Sequence, residues 1–155
     1  FFAKLAEVLG GKRQDIEPVA VLYLDLDQFK QINDLLGHDV GDHLLRAVAR
    51  RLAQSVRGDD FVSRMGGDEF TFILRGLKTK EEAEVVAKRI LGCFDDPFTV
   101  DGGTFRISGS LGVSFYPFDG RDSITLVKKA DAAMYQAKAE GGNGVFFSGD
   151  LQEVS

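Results

Sequence analysis

Two glycines followed by two acidic residues, Gly66-Gly67-Asp68-Glu69, separate two apolar segments and constrain the fold more than any other feature. The flanking segments, residues 61–62 and 70–74, have the aromatic and β-branched character of strands. Glycine adopts positive φ without steric cost and, lacking a Cβ, leaves room for a ligand beside the backbone. The sequence therefore predicts a hairpin whose turn presents two carboxylates. Taken alone, these residues are better explained as an ordinary hairpin with solvated acidic side chains.

A second acidic motif, Asp25-Leu26-Asp27, follows the continuous apolar run of residues 19–24. A run of this length and composition is typical of a buried strand. Carboxylates at the end of such a strand are held rigidly and are partly removed from water. Since Mg²⁺ is commonly bound by one or two carboxylates together with substrate phosphates, the motif indicates a metal site beside a phosphate-containing ligand.

Together the two motifs resemble those of the GGDEF family of diguanylate cyclases. Residues 25–42 match D-[LI]-D-x-F-K-x-[IV]-N-D-x-x-G-H-x-x-G-D, and residues 64–70 match R-x-G-G-D-E-F. The resemblance runs nearly from end to end and implies one GGDEF domain over residues 1–155. The implied reaction condenses two GTP molecules into cyclic di-GMP and two pyrophosphates across a two-fold homodimer, with Mg²⁺ or Mn²⁺ as cofactor.

The resemblance assigns a role to each acidic residue that matches the family's motifs. It implies that Asp25 and Asp68 bind the metal, with the carbonyl oxygen of Leu26 as a further ligand. Glu69 would bind a second metal or help to deprotonate the attacking hydroxyl group. Asp25, Asp68 and Glu69 are thus the implied catalytic residues.

The implied contacts with GTP come from both motifs and from the last predicted helix: Phe29, Lys30, Asn33, Asp42, Gly66, Gly67 and Lys138. Backbone amides at Phe29 and Lys30 would hold phosphate oxygens. Asn33 and Asp42 would read the guanine edge, because adenine would leave their polar groups unpaired. Lys138 would contact the β and γ phosphates. Considered as residues alone, Asp42 is equally well explained as a helix N-cap, and Lys138 is better explained as a solvated lysine.

A regulatory site is implied by Arg57 and Asp60, which match the family's R-x-x-D product-inhibition motif at its offset from the glycine turn. A guanidinium group can hold a guanine edge or a phosphate, and a carboxylate can accept from guanine N–H groups. Cyclic di-GMP is the expected ligand, with Arg89 as a further contact. The alternative is a local salt bridge within a turn.

One departure from the family follows Lys138. Where members commonly show G-R-N-R, this chain has Gly141-Gly142-Asn143-Gly144. Loss of a phosphate-binding arginine is expected to weaken GTP binding by roughly tenfold to a hundredfold. The alternative function is therefore a catalytically weak or inactive regulatory module that binds GTP or cyclic di-GMP. A third hypothesis, synthesis of a 3',5'-cyclic mononucleotide, is disfavoured by Asn33 and Asp42.

Composition limits the number of domains, the binding partners and the location that we expect for the chain. The chain has 155 residues, 44% of them hydrophobic, which suits one compact domain. A net charge of -5 and scattered basic residues argue against nucleic-acid binding. Without a long apolar span, and with Cys93 as the single cysteine, we expect no direct membrane contact and a cytoplasmic location. The chain is expected to be a piece of a longer protein, such as the cytoplasmic part of a membrane-attached one.

Hydrophobic periodicity predicts the order β-α-α-β-β-α-β-β-α-β. The second helix is expected to start after Gly41-Asp42, with Arg46, Arg50 and Arg51 facing outward. Later elements are a helix from a capping box at residues 79–82 to Phe94, a strand at 104–116, a helix at 123–139 and a strand at 145–147. The order indicates an α+β fold with a mainly antiparallel sheet flanked by helices. The family resemblance implies a ferredoxin-like palm of the nucleotidyl cyclase type, in which Asp25 and Asp68 meet.

Overall fold

The computed structural model describes residues 1–10 and 18–150. Its elements are α1 (Phe2–Gly10), β1 (Val19–Leu26), α2 (Phe29–Leu36), α3 (His38–Ser55), β2 (Phe61–Gly66), β3 (Glu69–Arg75), α4 (Lys80–Gly92), β4 (Phe98–Val100), β5 (Gly103–Phe105), β6 (Gly109–Tyr116), α5 (Ser123–Ala139), β7 (Val145–Phe147) and a 3-10 helix, Ser148–Asp150. Within these two ranges, no helix has both the length and the apolar character needed to cross a membrane.

The main sheet has five strands in the order β2-β3-β1-β6-β7, and β4 pairs with β5 in a separate hairpin. All neighbours in the main sheet are antiparallel except β6 and β7, which are parallel. Strand β1 lies at the centre and pairs with both β3 and β6 over its length. The predicted α+β architecture with a mainly antiparallel sheet is therefore confirmed.

Alternation along β1 divides the core into two layers. Side chains of even-numbered residues pack with α3 and α4 on one face, namely Ala20, Leu22, Leu24 and Leu26. Side chains of odd-numbered residues pack with α1 and α5 on the other, namely Val19, Val21 and Tyr23. Because successive side chains of a strand point to opposite faces, Asp25 continues the second series and lies on the α5 side of the sheet.

Helix α5 lies unusually close to strand β6 because of Gly112. A Cβ at this position would come within 2.0 Å of the carbonyl oxygen of Ala130. The helix therefore rests directly on the strand backbone, a contact that glycine alone permits. This packing brings the last turn of α5, with Lys138, next to the end of β1.

The predicted strand at 104–116 is wrong in extent, since the structure divides it into β5 and β6 and adds β4 before them. Residues 103–105 pair with β4, whereas residues 109–116 pair with β1. Between them, the carbonyl of Ser108 accepts a hydrogen bond from the amide of Asp27 at 2.9 Å. A change of pairing partner leaves the alternation of side chains intact, so the sequence pattern does not reveal it.

Helix α3 begins at His38, earlier than predicted, and Gly37, with φ +93°, occupies the cap position. Asp42 therefore lies inside the helix, and its interpretation as an N-cap is wrong. The predicted outward orientation of Arg51 is also wrong. Its guanidinium group donates to the carbonyls of residues 93, 96 and 97 and lies 3.6 Å from the ring centroid of Phe98.

Candidate functional site

The end of β1 and the turn between β2 and β3 lie side by side where these strands end. We call this edge of the sheet the acidic edge. Asp25 lies opposite Glu69 in the β1–β3 register. The amide of Leu26 donates to the carbonyl of Asp68 at 3.1 Å. Gly66 pairs with Glu69, so Gly67 and Asp68 form the turn, and Gly67 has φ +51°. The structure thus brings together the acidic residues that the sequence motifs single out.

Asp25 is the most perturbed carboxyl group at this edge. Its side chain is 16% exposed, and its Oδ1 is buried without a hydrogen-bond partner. The ammonium group of Lys138 lies 3.3 Å from that oxygen. Burial, and then the negative charge of Asp68, raise the pKa of Asp25 to about 7, against the opposing influence of Lys138. Lys138 therefore offsets the burial of Asp25 and its repulsion by Asp68 only in part.

Glu69 is oriented by Tyr23, which the sequence analysis did not single out. The hydroxyl of Tyr23 donates to Oε1 of Glu69 at 3.1 Å, although 46 positions separate the two residues. Burial and the carboxylate of Glu69 raise the pKa of Tyr23, so the phenol remains a donor. Tyr23 precedes Asp25 by two positions and shares its face of the strand, which is the signal that could have identified it.

The donor set fits a hard divalent cation that is bound together with a nucleotide. The unpartnered Oδ1 of Asp25 and the nearby carboxylate of Asp68 are the oxygen ligands that Mg²⁺ and Mn²⁺ prefer. Within residues 1–10 and 18–150, however, no three His, Cys, Asp or Glu side chains converge into a metal site. Phosphate oxygens or water are therefore needed to complete the coordination.

The start of α2 offers free backbone amides beside the acidic edge. Gln28, with φ +62°, occupies the cap position, and no side chain caps the helix. The first amides of the helix, at Phe29 and Lys30, thus have no side-chain acceptor. Phe29 is buried, with 7% exposure, which fixes the position of this turn. Such a helix start suits phosphate oxygens.

Asn33 lies at the junction between α2 and α3. Its Nδ2 lies 3.0 Å from Nδ1 of His38. A Cβ on Gly41 would come within 2.2 Å of Oδ1 of Asn33, so the amide packs directly on the backbone of α3. Asp42 follows Gly41 and is exposed. The two predicted guanine-reading residues are thus near each other.

The three residues of the predicted regulatory site line one groove of about 370 Å³. The carboxylate of Asp60 accepts from the backbone amides of Arg57 at 3.3 Å and Arg75 at 3.1 Å. Arg89 donates from Nε to the carbonyl of Ser55 at 3.2 Å. The carboxylate of Asp60 therefore stabilises the local turn, while both arginines border a space large enough for a ligand.

Asp27, the second carboxylate of the Asp25-Leu26-Asp27 motif, also lies at this edge, and no individual role was predicted for it. Its carboxylate accepts from the hydroxyls of Ser108 at 2.6 Å and Ser110 at 2.7 Å, and from the amide of Asn143 at 2.9 Å. The spacing of the two serines, which places both on one face, is a weak signal that only the fold makes meaningful.

Comparison with known proteins identifies the family. A model described as "Diguanylate cyclase, GGDEF domain" matches residues 1–144, and the chain belongs to this GGDEF family. The cyclic di-GMP phosphodiesterase NbdA of Pseudomonas aeruginosa is 44% identical over 134 residues, covering 86% of this chain and 17% of NbdA. The bifunctional diguanylate cyclase/cyclic di-GMP phosphodiesterase MucR of the same organism is 38% identical over 144 residues, covering 93% of this chain and 21% of MucR. The chain thus spans about a fifth of the length of these curated relatives.

Solved structures confirm the fold. The GGDEF domain of TpbB from Pseudomonas aeruginosa matches with a TM-score of 0.92 and 35% identity, covering 98% of this chain and 94% of that chain. The GGDEF domain of DgcB from Caulobacter crescentus, solved in complex with c-di-GMP, matches with a TM-score of 0.77 and 25% identity. The match covers 96% of this chain and 84% of the DgcB chain. The palm-like architecture implied by the resemblance is therefore correct.

Proposed function

We propose that this chain is a diguanylate cyclase domain that condenses two GTP molecules into cyclic di-GMP and two pyrophosphates. The observation that carries the proposal is the meeting of Asp25, Asp68 and Glu69 at one edge of the sheet, with Lys138 3.3 Å from Asp25. Membership of the GGDEF family supports the same reaction. Carboxylates and a lysine beside a glycine turn suit nucleotidyl transfer, which depends mainly on positioning and charge neutralisation.

The reaction needs two nucleotides that face each other. The 3'-hydroxyl oxygen of one GTP forms a bond with the α-phosphorus of the other, while the bond from that phosphorus to the pyrophosphate oxygen breaks. The ring closes when the 3'-hydroxyl oxygen of the second nucleotide forms the corresponding bond with the α-phosphorus of the first. The second pyrophosphate then leaves. Because each domain holds one GTP, a homodimer is required, and orienting two reactants in this way can lower the barrier by about 7–11 kcal/mol.

Each residue at the edge has a distinct task in this proposal. Asp25, Asp68 and the carbonyl of Leu26 would hold Mg²⁺ or Mn²⁺, which when bound supplies neutralisation of phosphate charge, and Glu69 would bind a second such ion or act as the base. As the base, Glu69 would be oriented by the hydroxyl of Tyr23 and would accept the proton of the attacking 3'-hydroxyl.

The nucleotide is held by the remaining residues of the two motifs. Lys138 binds the β and γ phosphates, and the amides of Phe29 and Lys30 bind phosphate oxygens. Gly66 and Gly67 leave space for the nucleotide beside the turn, since a Cβ added to either glycine would meet no atom within 4 Å. The side chains of Asn33 and Asp42 read guanine.

A regulatory module without turnover is the second candidate. Gly142 and Gly144 stand where the resemblance implies arginines, and a named phosphodiesterase is among the relatives. Such a module would bind GTP at the edge, or cyclic di-GMP in the groove of Arg57, Asp60 and Arg89, and control a neighbouring domain. Product inhibition through the same groove is part of the cyclase proposal as well.

The proposed setting is the cytoplasm, where GTP is available, either as a free protein or as part of a larger, membrane-attached one. Residues 1–155 are proposed to act as one domain that contacts neither nucleic acid nor the membrane directly. Two parts of that range, 11–17 and 151–155, lie outside the described residues.

The test is turnover by nucleotide-free protein at high concentration, with GTP and Mg²⁺ and with product masses as the readout. Cyclic di-GMP is expected, at a rate that rises more steeply than linearly with protein concentration. Asp68→Ala should abolish the product, whereas Glu84→Ala, at a side chain that is 43% exposed on α4, should not. GTP that binds but stays intact would favour the regulatory module, and a cyclic mononucleotide would contradict both.

A further inference from the structure

The carboxylate of Asp27 is bonded to two other segments of the chain. It accepts from the side chains of Ser108 and Ser110, at the start of β6, and from the backbone amide of Asn143, after α5. The three donor–acceptor distances are between 2.6 and 2.9 Å. Short hydrogen bonds to an ionised acceptor are stronger than those between neutral groups. The side chain of Asp27 therefore links the end of β1, the start of β6 and the loop after α5.

The segment that contains Asn143 joins Asp27 to the end of α5. Gly141 donates from its amide to the carbonyl of Lys138 at 3.1 Å, and Gly142 donates to Ala137 at 3.0 Å. A Cβ on Gly142, which has φ +77°, would lie 2.9 Å from Oδ2 of Asp27. The loop 141–144 is therefore packed on the carboxylate and bonded to the last turn of the helix.

Lys138 lies in that last turn of α5, and its side chain extends towards Asp25 and Asp27. Its ammonium group lies 3.3 Å from Oδ1 of Asp25 and 3.7 Å from Oδ1 of Asp27. A lysine has a flexible four-carbon side chain, so its position depends on how firmly its backbone is held. The bonds of Asp27 to the loop after Lys138 hold that backbone against β1.

We infer that Asp27 is a positioning residue for GTP binding: through its bonds to Ser108, Ser110 and Asn143 it fixes the end of α5 and so places Lys138 beside the acidic edge. The inference deepens the proposed function and rests on it for the identity of the ligand. Asp27 itself acts through Lys138 and the 141–144 loop, and its own oxygens are occupied by protein donors.

Two substitutions separate the hydrogen bonds of Asp27 from its charge. In Asp27→Asn the amide oxygen can accept from Ser108 and Asn143 while the NH₂ group donates to the Ser110 hydroxyl, so the connections persist and the charge is lost. Asp27→Ala loses both. A polar groove of about 340 Å³ borders Gln28, Ser108 and Asn143, so water can reach two of the three donors that alanine leaves free. The buried Ser110 hydroxyl is the third, and the variant should still fold.

Titration with GTP without divalent cation, at a temperature well below unfolding, is the decisive experiment. Because the two variants have equal charge, Asp27→Ala should bind GTP about tenfold more weakly than Asp27→Asn if the bonds position the site. Asp119→Ala is the matched control, since Asp119 also accepts from a backbone amide, that of Phe115 at 2.7 Å, in another turn. Its loss should lower stability without changing GTP affinity.

Hydrogen exchange in nucleotide-free protein tests the anchor independently of the ligand. The amide of Asn143 should exchange at least about tenfold faster in Asp27→Ala than in Asp27→Asn. Equal GTP affinity of the two variants, equal exchange at Asn143, or the same affinity loss in Asp119→Ala would each overturn the inference. An unaltered chain that binds no GTP would contradict the proposed function instead, and the exchange comparison would then decide whether Asp27 anchors the loop.

Discussion

The ammonium group of Lys138 lies 3.3 Å from Oδ1 of Asp25, a buried carboxylate oxygen that no hydrogen bond reaches. The lysine therefore offsets part of the negative charge of Asp25 before any ligand binds. It does not offset all of it, because the pKa of Asp25 is still raised to about 7 by burial and by Asp68. A further cation beside Asp25 would thus be electrostatically favoured.

Asp25→Asn should stabilise the chain at alkaline pH in the presence of a chelator. A carboxyl group with a raised pKa binds its proton more tightly in the folded chain than in the unfolded one, so stability falls as pH rises from about 4 to about 7 and stays lower above. Removing the charge should raise Tm by about 2–4 °C at pH 8.5, corresponding to about 1 kcal/mol. Thermal unfolding monitored by circular dichroism measures the change.

The gain in Asp25→Asn should be smaller at pH 5.5, where the folded chain already binds the proton. Asp39→Asn, an exposed change in the first turn of α3, serves as the control for removing one negative charge. An equal gain at both pH values, or an equal gain in the control, would show that the charge of Asp25 is not the cause.

Tyr23→Phe should lower kcat more than it changes KM. The substitution removes only the hydroxyl that donates to Glu69. Because a hydrogen bond to a charged group contributes about 1.5–3 kcal/mol, kcat should fall about tenfold, whereas KM for GTP should change by less than about twofold. Tyr135→Phe, at a side chain that is 70% exposed on α5, is the matched control. A rise in KM alone would place the hydroxyl in binding rather than in orientation of Glu69.

The two glycines around Asn143 should respond differently to arginine. Gly144 has only an ordinary contact of 3.7 Å at its Cβ position, whereas Gly142 has φ +77° and a Cβ position 2.9 Å from Asp27. Gly144→Arg should therefore strengthen GTP binding by about tenfold through a charge-assisted contact. Gly142→Arg should lower Tm because its backbone conformation disfavours a side chain. Calorimetry of both variants compares the effects, and equal Tm values would contradict the argument from φ.

Arg57→Ala should relieve inhibition by cyclic di-GMP. Arg57 borders the 370 Å³ groove, and the carboxylate of Asp60 accepts from its backbone amide. Loss of the guanidinium removes a contact with guanine or phosphate and should raise the half-inhibitory concentration about tenfold. Each variant is assayed against its own uninhibited rate. Arg46→Ala, on the exposed face of α3, should leave inhibition unchanged, and unchanged inhibition in Arg57→Ala would remove this groove from the mechanism.

The sequence predicts the elements around the acidic edge well, because each has a local signal. The buried strand before Asp25, the glycine turn before Glu69 and the capping box at Thr79, whose hydroxyl accepts from the amide of Glu82 at 3.1 Å, all occur as predicted. Hydrophobic alternation and capping are properties of neighbouring residues, so they can be read without knowing the fold.

Features that depend on distant parts of the chain could not be predicted in the same way. The bond between Tyr23 and Glu69 and the bonds of Asp27 to Ser108, Ser110 and Asn143 join segments that only the sheet and α5 bring together. The division of residues 103–116 into two strands likewise follows from a change of pairing partner. In each case, the local sequence pattern indicates the secondary structure, whereas the contacts of each residue depend on the tertiary structure.

Arg51 links helix α3 to the segment that follows helix α4. Helix α4 ends near Cys93, and the carbonyls of Cys93, Asp96 and Pro97 would otherwise need water or a local cap. They are satisfied instead by one guanidinium from α3, 42 to 46 positions earlier in the chain. The segment between α4 and β4 is therefore held in place by hydrogen bonds from α3. A substitution in α3 at Arg51 would thus leave three backbone carbonyls after α4 without their hydrogen-bond donor.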